Sequence, residues 1–138
     1  MTRDEQVNAQ LEKYTLNPDP KFAEEIREII RQEIANEKRE DNEILNLSCM
    51  QLFSLGEAKD SLLIYKAKMS SFDASLYLDI QLLCGAGLEE TKDFLAKQNT
   101  PETKEVLDHL LICEKGGEFD EFSVESQTKW HHQYFYGS

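Results

Sequence analysis

The segment Ile44–Leu55 carries apolar residues around almost its whole circumference when it is plotted as a helix. Those residues form two adjoining stripes at helical spacing: Ile44, Leu47, Leu52 and Leu55 in one, and Leu45, Cys49 and Phe53 in the other. Because such a helix is apolar in several directions, it has to be buried on more than one side. Gly56 follows directly and is a typical residue for ending a helix. The sequence therefore predicts a buried helix that the rest of the chain has to cover.

Helical signals also occur on both sides of this segment. Asp19 is placed to cap a helix with Pro20 in its first turn, and one apolar face then continues to about Arg39. A weaker apolar stripe predicts a helix over Asp4–Tyr14. Three more helices are predicted in the C-terminal half: Leu88–Gln98, one that begins at Thr100-Pro101 and ends at Gly116-Gly117, and one capped by Ser123.

The middle of the chain supports two interpretations. Ser61–Ser70, capped by Asp60, and a second segment that runs from Ser71 or Asp73 to Leu83 or Cys84 both alternate apolar and polar residues. Alternation of this kind is typical of strands, so an α+β fold with a small hairpin at residues 62–82 is the alternative. The same segments are rich in Leu, Ala, Met and Lys and poor in β-branched residues, which favours helices.

The breaks between the helices have a regular spacing. Gly56, Gly87 and Gly117 are 31 and 30 residues apart, which is the size of a helical hairpin in stacked repeats. We therefore predict an all-α fold in which antiparallel hairpins of about 30 residues stack into a short superhelix or an orthogonal bundle. One domain over residues 1–138 is expected, with N-terminal helices in 1–40, an apolar core in 41–117 and an aromatic C-terminal segment in 118–138.

The net charge and the cysteine content limit which binding partners and which cellular compartment are expected. Fifteen Lys and Arg residues against 27 Asp and Glu give a net charge of −12, which disfavours binding to nucleic acid or to anionic membranes. Cys49, Cys84 and Cys113 are odd in number and lie in apolar segments, so we expect reduced thiols and a cytoplasmic location without a leader sequence. No apolar run is long enough to span a bilayer.

The histidines and polar core residues give weak catalytic signals. Adjacent His131 and His132 would point about 100° apart on a helix, which is unsuited to binding one metal ion together. His109 has Asp108 and Glu105 as nearby carboxylates, and an enzyme that uses His109 or His132 with a carboxylate is the least favoured hypothesis.

Neither a phosphate-binding loop nor a reactive cysteine is indicated in the middle of the chain. Gly85-Ala86-Gly87 matches no phosphate-binding motif, and Cys84 has no basic neighbour that would activate it. Asp79 interrupts an apolar stretch, and a structural ion pair with Lys66 or Lys68 is expected. We predict no cofactor, no metal ion and no catalytic residue.

The leading hypothesis is a non-enzymatic protein-interaction module that binds a partner, in one version a basic one. This class includes acidic inhibitors, immunity-type proteins and adaptors. Two groups of residues are the predicted contacts: the acidic Glu24, Glu25, Glu28, Glu37, Glu40, Asp41 and Glu43, and the aromatic Trp130, Tyr134 and Tyr136. The alternative is a regulatory domain that binds a small molecule in an interhelical pocket near Tyr65, Tyr77 and Trp130.

Overall fold

The computed structural model describes residues 1–137, and its regular secondary structure over that range is all helical, without a strand. The all-α prediction is confirmed, and the alternative hairpin at residues 62–82 is wrong. Ser138, the last residue of the predicted domain, lies outside the described residues. The helices are α1 Arg3–Tyr14, α2 Ala23–Ala35, α3 Glu43–Leu55, α4 Ser61–Lys68, α5 Phe72–Tyr77, α6 Leu88–Gln98, α7 Pro101–Lys115 and α8 Val124–Tyr136, with 3-10 turns at Pro20–Phe22, Ala58–Asp60 and Ile80–Cys84.

The helix α3 lies at the centre of the bundle, as its apolar circumference predicts. Every residue from Ile44 to Phe53 is buried, and α1, α2 and the turn Ile80–Cys84 pack against it. Two of its buried polar residues share a partner: the Gln10 amide donates to Ser48 at 2.8 Å and to Gln51 at 2.9 Å. Hydrogen bonds of this kind offset the desolvation cost of polar side chains in a core.

The predicted caps at Thr100 and Ser123 are confirmed, whereas α2 is shorter than predicted. The side-chain hydroxyls of Thr100 and Ser123 accept hydrogen bonds from the backbone three residues later. The helix α2 begins after a 3-10 turn and ends at Ala35, four residues before Arg39. The Arg39 guanidinium donates to the carbonyls of Glu33 and Asn36 and so satisfies the last turn of α2.

The predicted second helix of the middle region stops early, at Tyr77. Leu78 adopts an extended backbone, and the chain continues as the 3-10 turn Ile80–Cys84. The Lys68 ammonium donates to the carbonyls of Ser75 and Leu78, both at 2.6 Å, and this fixes the C-terminal end of α5. Within the alternating pattern, residues 78–84 therefore form an irregular connection whose apolar side chains pack inward without a strand.

The glycines at the regular breaks delimit unequal units. The stretch between Gly87 and Gly117 is a hairpin in which α6 packs on α7. The stretch between Gly56 and Gly87 instead contains two short helices and two 3-10 turns. The bundle is thus built from helical pieces of different length.

We expect Gly85→Ala to lower the free energy of unfolding by about 2 kcal/mol, because overpacking a rigid site costs 1–3 kcal/mol. A Cβ at Gly85 would overlap the Phe53 carbonyl group in α3 and lie 2.9 Å from the Phe53 Cα, and neither backbone can retreat easily. Urea unfolding measures the change. Gly116→Ala is the matched control, since its nearest contact is 3.5 Å away, and an equal loss in both variants would contradict the steric cause.

The three cysteines are free and buried, in agreement with the sequence-based expectation of reduced thiols. Burial raises the pKa of Cys84 to about 12 and that of Cys113 to about 11, and it raises the pKa of Cys49 further. These thiols therefore stay protonated and unreactive near neutral pH. None of the helices formed by residues 1–137 is both long and apolar enough to cross a membrane.

Candidate docking surface

The helix α8 separates its aromatic residues into an inward and an outward group. A capping box at Ser123 fixes its start. His131 is 3% exposed and meets the Phe53 ring edge-on, with the ring centroids 5.0 Å apart. The predicted partner residues Trp130, Tyr134 and Tyr136 all face outward. The amphipathic pattern of α8 thus leaves a row of aromatic side chains in solvent.

The helix α5 exposes large apolar side chains that the sequence did not reveal. Phe72 is 76% exposed and Leu76 is 70% exposed, and their spacing of four residues places them on one face. The only residue of α5 that is buried is Ala74. Leu76 lies in one of the alternating segments of the sequence, and periodicity alone cannot show that so short a helix has no neighbour over its outer face.

The exposed residues of α5 and α8 form one continuous surface. The hydroxyl groups of Tyr77 and Tyr134 are 2.6 Å apart, and the rings of Trp130 and Tyr134 meet at 6.0 Å between centroids. Leu76 and Trp130 line the same cavity. We call this surface the aromatic patch, defined as Phe72, Leu76, Tyr77, Trp130 and Tyr134.

Acidic residues from the joint between α2 and α3 border this patch. The Tyr134 hydroxyl donates to Glu43 Oε1 at 2.9 Å, which connects the aromatic and the acidic groups of the sequence prediction. The remaining carboxylates of the joint line a cavity of about 370 Å³ together with Asp73, the neighbour of Phe72 in α5. We call this group the acidic rim, defined as Glu37, Glu40, Asp41, Glu43 and Asp73.

The other three predicted acidic residues lie apart from the rim and have nearby cationic partners. Glu24 pairs with Arg27 and Arg31, and Glu28 pairs with Arg31. Glu25 accepts a hydrogen bond from Tyr14 and lies near Lys13. The helix α2 rises about 10–17 Å between these residues and its C-terminal end. The structure therefore divides the predicted acidic face into a group on α2 with cationic neighbours and the rim.

A cavity of about 340 Å³ lies beside Trp130, between α5, the turn Ile80–Cys84 and α8. Its walls carry Lys68, Asp79 and Glu118. Burial raises the pKa of Asp79, and Glu118 adds to the rise, whereas Lys68 and the Trp130 indole N–H oppose it. Burial also lowers the pKa of Lys68. Among the described residues, the predicted pair of Asp79 with Lys68 is not a direct contact, because the ammonium donates to backbone carbonyls.

The histidines considered as catalytic residues have other partners. His109 Nδ1 lies 3.0 Å from the Tyr65 hydroxyl, and His132 Nε2 lies 3.2 Å from the Asn17 amide. Tyr65 lines a separate cavity of about 540 Å³ between α4 and α7, so it does not share a pocket with Trp130. Over residues 1–137, no group of three or more His, Cys, Asp or Glu side chains is arranged to hold a metal ion.

Neither a protein-family model, nor a curated protein, nor a solved structure matches this chain.

Proposed function

We propose that this protein is a non-enzymatic interaction module that binds a basic protein partner through the aromatic patch and the acidic rim. The observation that carries the proposal is the continuous row of exposed apolar side chains on α5 and α8, joined to the rim by the hydrogen bond between Tyr134 and Glu43. The two groups of residues that the sequence suggests as contacts meet at this bond.

The composition of the patch supports a role in binding. Soluble proteins rarely leave a contiguous cluster of large apolar side chains in water unless the cluster has a function. Trp and Tyr are the residues that most often dominate the energy of protein interfaces, and a polar border around them is the usual anatomy. Because Phe72 and Leu76 are exposed, they contribute little hydrophobic stabilisation to the fold. Burying them against a partner would stabilise the complex.

The sign of the charge supports a basic partner. Within the rim, Asp41 lies near Arg3, whereas Glu37, Glu40 and Asp73 form no ion pair among the described residues. The whole chain has a net charge of −12, so its field adds to that of the rim. Such a field accelerates the approach of a positively charged partner and repels nucleic acid.

The patch is tested by the double variant Phe72→Ser/Leu76→Ser. Both side chains are exposed, so the fold should change in stability by no more than about 0.5 kcal/mol. Leu111→Ser/Ile112→Ser is the matched control, because it removes exposed apolar residues from α7, where Ile112 is 71% exposed. Tagged proteins are used to capture partners from cells, and bound proteins are quantified by mass spectrometry.

We expect the control to retain the basic partners of the unmodified protein and the patch variant to lose at least nine-tenths of them. Equal retention by both variants would contradict the proposed surface.

The rim is tested by reversing three charges, with a control variant of the same net charge. Changing Glu37, Glu40 and Asp73 to Lys should slow association with the captured partner at low salt, and the effect should shrink as salt screens the field. The control reverses three exposed carboxylates elsewhere, namely Glu90, Asp93 and Asp108. Association rates measured by surface plasmon resonance separate the two sets. Equal slowing in both would show that only the total charge matters and that the rim has no local role.

A further inference from the structure

We propose that the cavity beside Trp130 binds an arginine side chain of the partner. This inference rests on the proposed function, and it identifies which residue type of the partner binds next to the aromatic patch. The cavity opens next to Leu76 and Trp130, which belong to the aromatic patch, so a partner that covers the patch also covers its mouth.

The charges of the cavity walls favour a cation. Asp79 and Glu118 both line the cavity, and neither forms an ion pair with a cationic side chain among the described residues. The one ammonium group in the wall, that of Lys68, donates to the carbonyls of Ser75 and Leu78 at the end of α5. Two carboxylates and one ammonium leave one negative charge without a counterion. An incoming cation would stabilise the Asp79 carboxylate, whose pKa is raised by burial and in part by Glu118.

The shape and chemistry of the walls favour a guanidinium over an ammonium. The Trp130 indole forms one wall, and a guanidinium stacks on an indole face while its planar donors reach carboxylate oxygens. The side-chain amide of Gln127 offers a further acceptor, and Leu76 provides apolar contact for the methylene groups of an arginine. A volume of about 340 Å³ is at the small end of ligand pockets and suits one side chain.

Trp130 is the only tryptophan of the chain, so its indole N–H gives one unambiguous nuclear magnetic resonance signal. The full-length protein is titrated with N-acetyl-arginine methylamide while this signal is followed. The corresponding citrulline derivative, which is nearly isosteric but neutral, and the lysine derivative are titrated in parallel. We expect a saturable shift with arginine, weaker binding of lysine and no saturable shift with citrulline.

The variant Asp79→Asn should weaken arginine binding at least tenfold, because it removes one of the two carboxylates that line the cavity. Asp108→Asn, an exposed change on α7, is the matched control and should bind arginine as the unmodified protein does. Backbone amide spectra of both variants verify that the fold is retained. If Asp79→Asn perturbs those spectra, Glu118→Gln replaces it and is also expected to weaken binding.

Equal binding of citrulline and arginine would overturn the proposal, and so would unchanged arginine affinity in both carboxylate variants. Equal binding of lysine would overturn the assignment to a guanidinium. These failures are separable from failure of the proposed function. If arginine does not bind while Phe72→Ser/Leu76→Ser still abolishes partner capture, the proposed docking surface is supported and only the proposed arginine site is wrong.

Discussion

Replacing Arg27 by Ala is expected to lower the free energy of unfolding by about 3–5 kcal/mol, because it leaves a buried carboxylate without its cation. Asp60 is 4% exposed, and its two carboxyl oxygens accept hydrogen bonds from Arg27 Nε at 2.8 Å and from Nη2 at 3.2 Å. This bidentate contact raises the pKa of Arg27, which therefore stays charged at every accessible pH. It joins α2 to the start of α4.

The matched control is Arg31→Ala, one turn further along α2. Arg31 also contacts two carboxylates, Glu24 and Glu28, but all three side chains are largely exposed, and exposed pairs contribute about 0–1 kcal/mol. Urea unfolding at neutral pH followed by circular dichroism measures both variants. Losses of similar size would show that Asp60 finds another partner or water once Arg27 is removed.

The stability of the protein is expected to fall by about 2–3 kcal/mol between pH 7 and pH 4.5 because of His131 alone. Burial first, and the nearby His132 second, lower the pKa of His131 from 6.5 to about 4. Between about pH 6.5 and pH 4, His131 is therefore protonated in the unfolded chain but neutral in the folded protein. The folded state is destabilised as the pH falls through this interval. The neutral imidazole packs on Phe53, and its charged form would have to be buried or expelled together with α8.

The variant His131→Phe removes the titrating group and keeps a ring against Phe53. Between pH 7 and pH 4.5, the free energy of unfolding of this variant should fall by about 2–3 kcal/mol less than that of the unmodified protein. The carboxylates contribute equally to both proteins, so their effect cancels in the comparison. His131→Leu provides a second comparison if the larger ring disturbs packing. Fluorescence of Trp130, next to His131 in α8, reports whether this helix is released first. Parallel pH profiles of variant and unmodified protein would contradict the role of His131.

Local sequence signals predicted most of the helices because caps and breakers act through neighbouring residues. Thr100-Pro101 and Ser123 begin helices by satisfying backbone N–H groups within one turn, which needs no tertiary contact. The segment Ile44–Leu55 had to be buried on several sides, since no partial cover can remove so much apolar surface from water. These features are properties of a few consecutive residues.

The end of α5 and the arrangement of the surface depended on residues distant in sequence. Lys68 stops α5 by binding its last carbonyls, and no periodicity within residues 72–83 encodes that contact. Phe72 and Leu76 have the same apolar character as core residues, and only the absence of a packed neighbour makes them exposed. Their exclusion from the core follows from which faces the other helices already cover.

The amino-acid sequence by itself determined that the chain is acidic, helical and built around one deeply buried helix. Which carboxylates lie beside the aromatic residues of α5 and α8 was decided by the tertiary structure alone. Arg27 and Arg31 lie one turn apart on α2 and pair with the acidic residues around them, whereas Glu43 meets Tyr134, 91 residues later in the chain. Charge and periodicity are local properties, but the juxtaposition of an aromatic helix with an acidic joint exists only once α8 has packed beside α5.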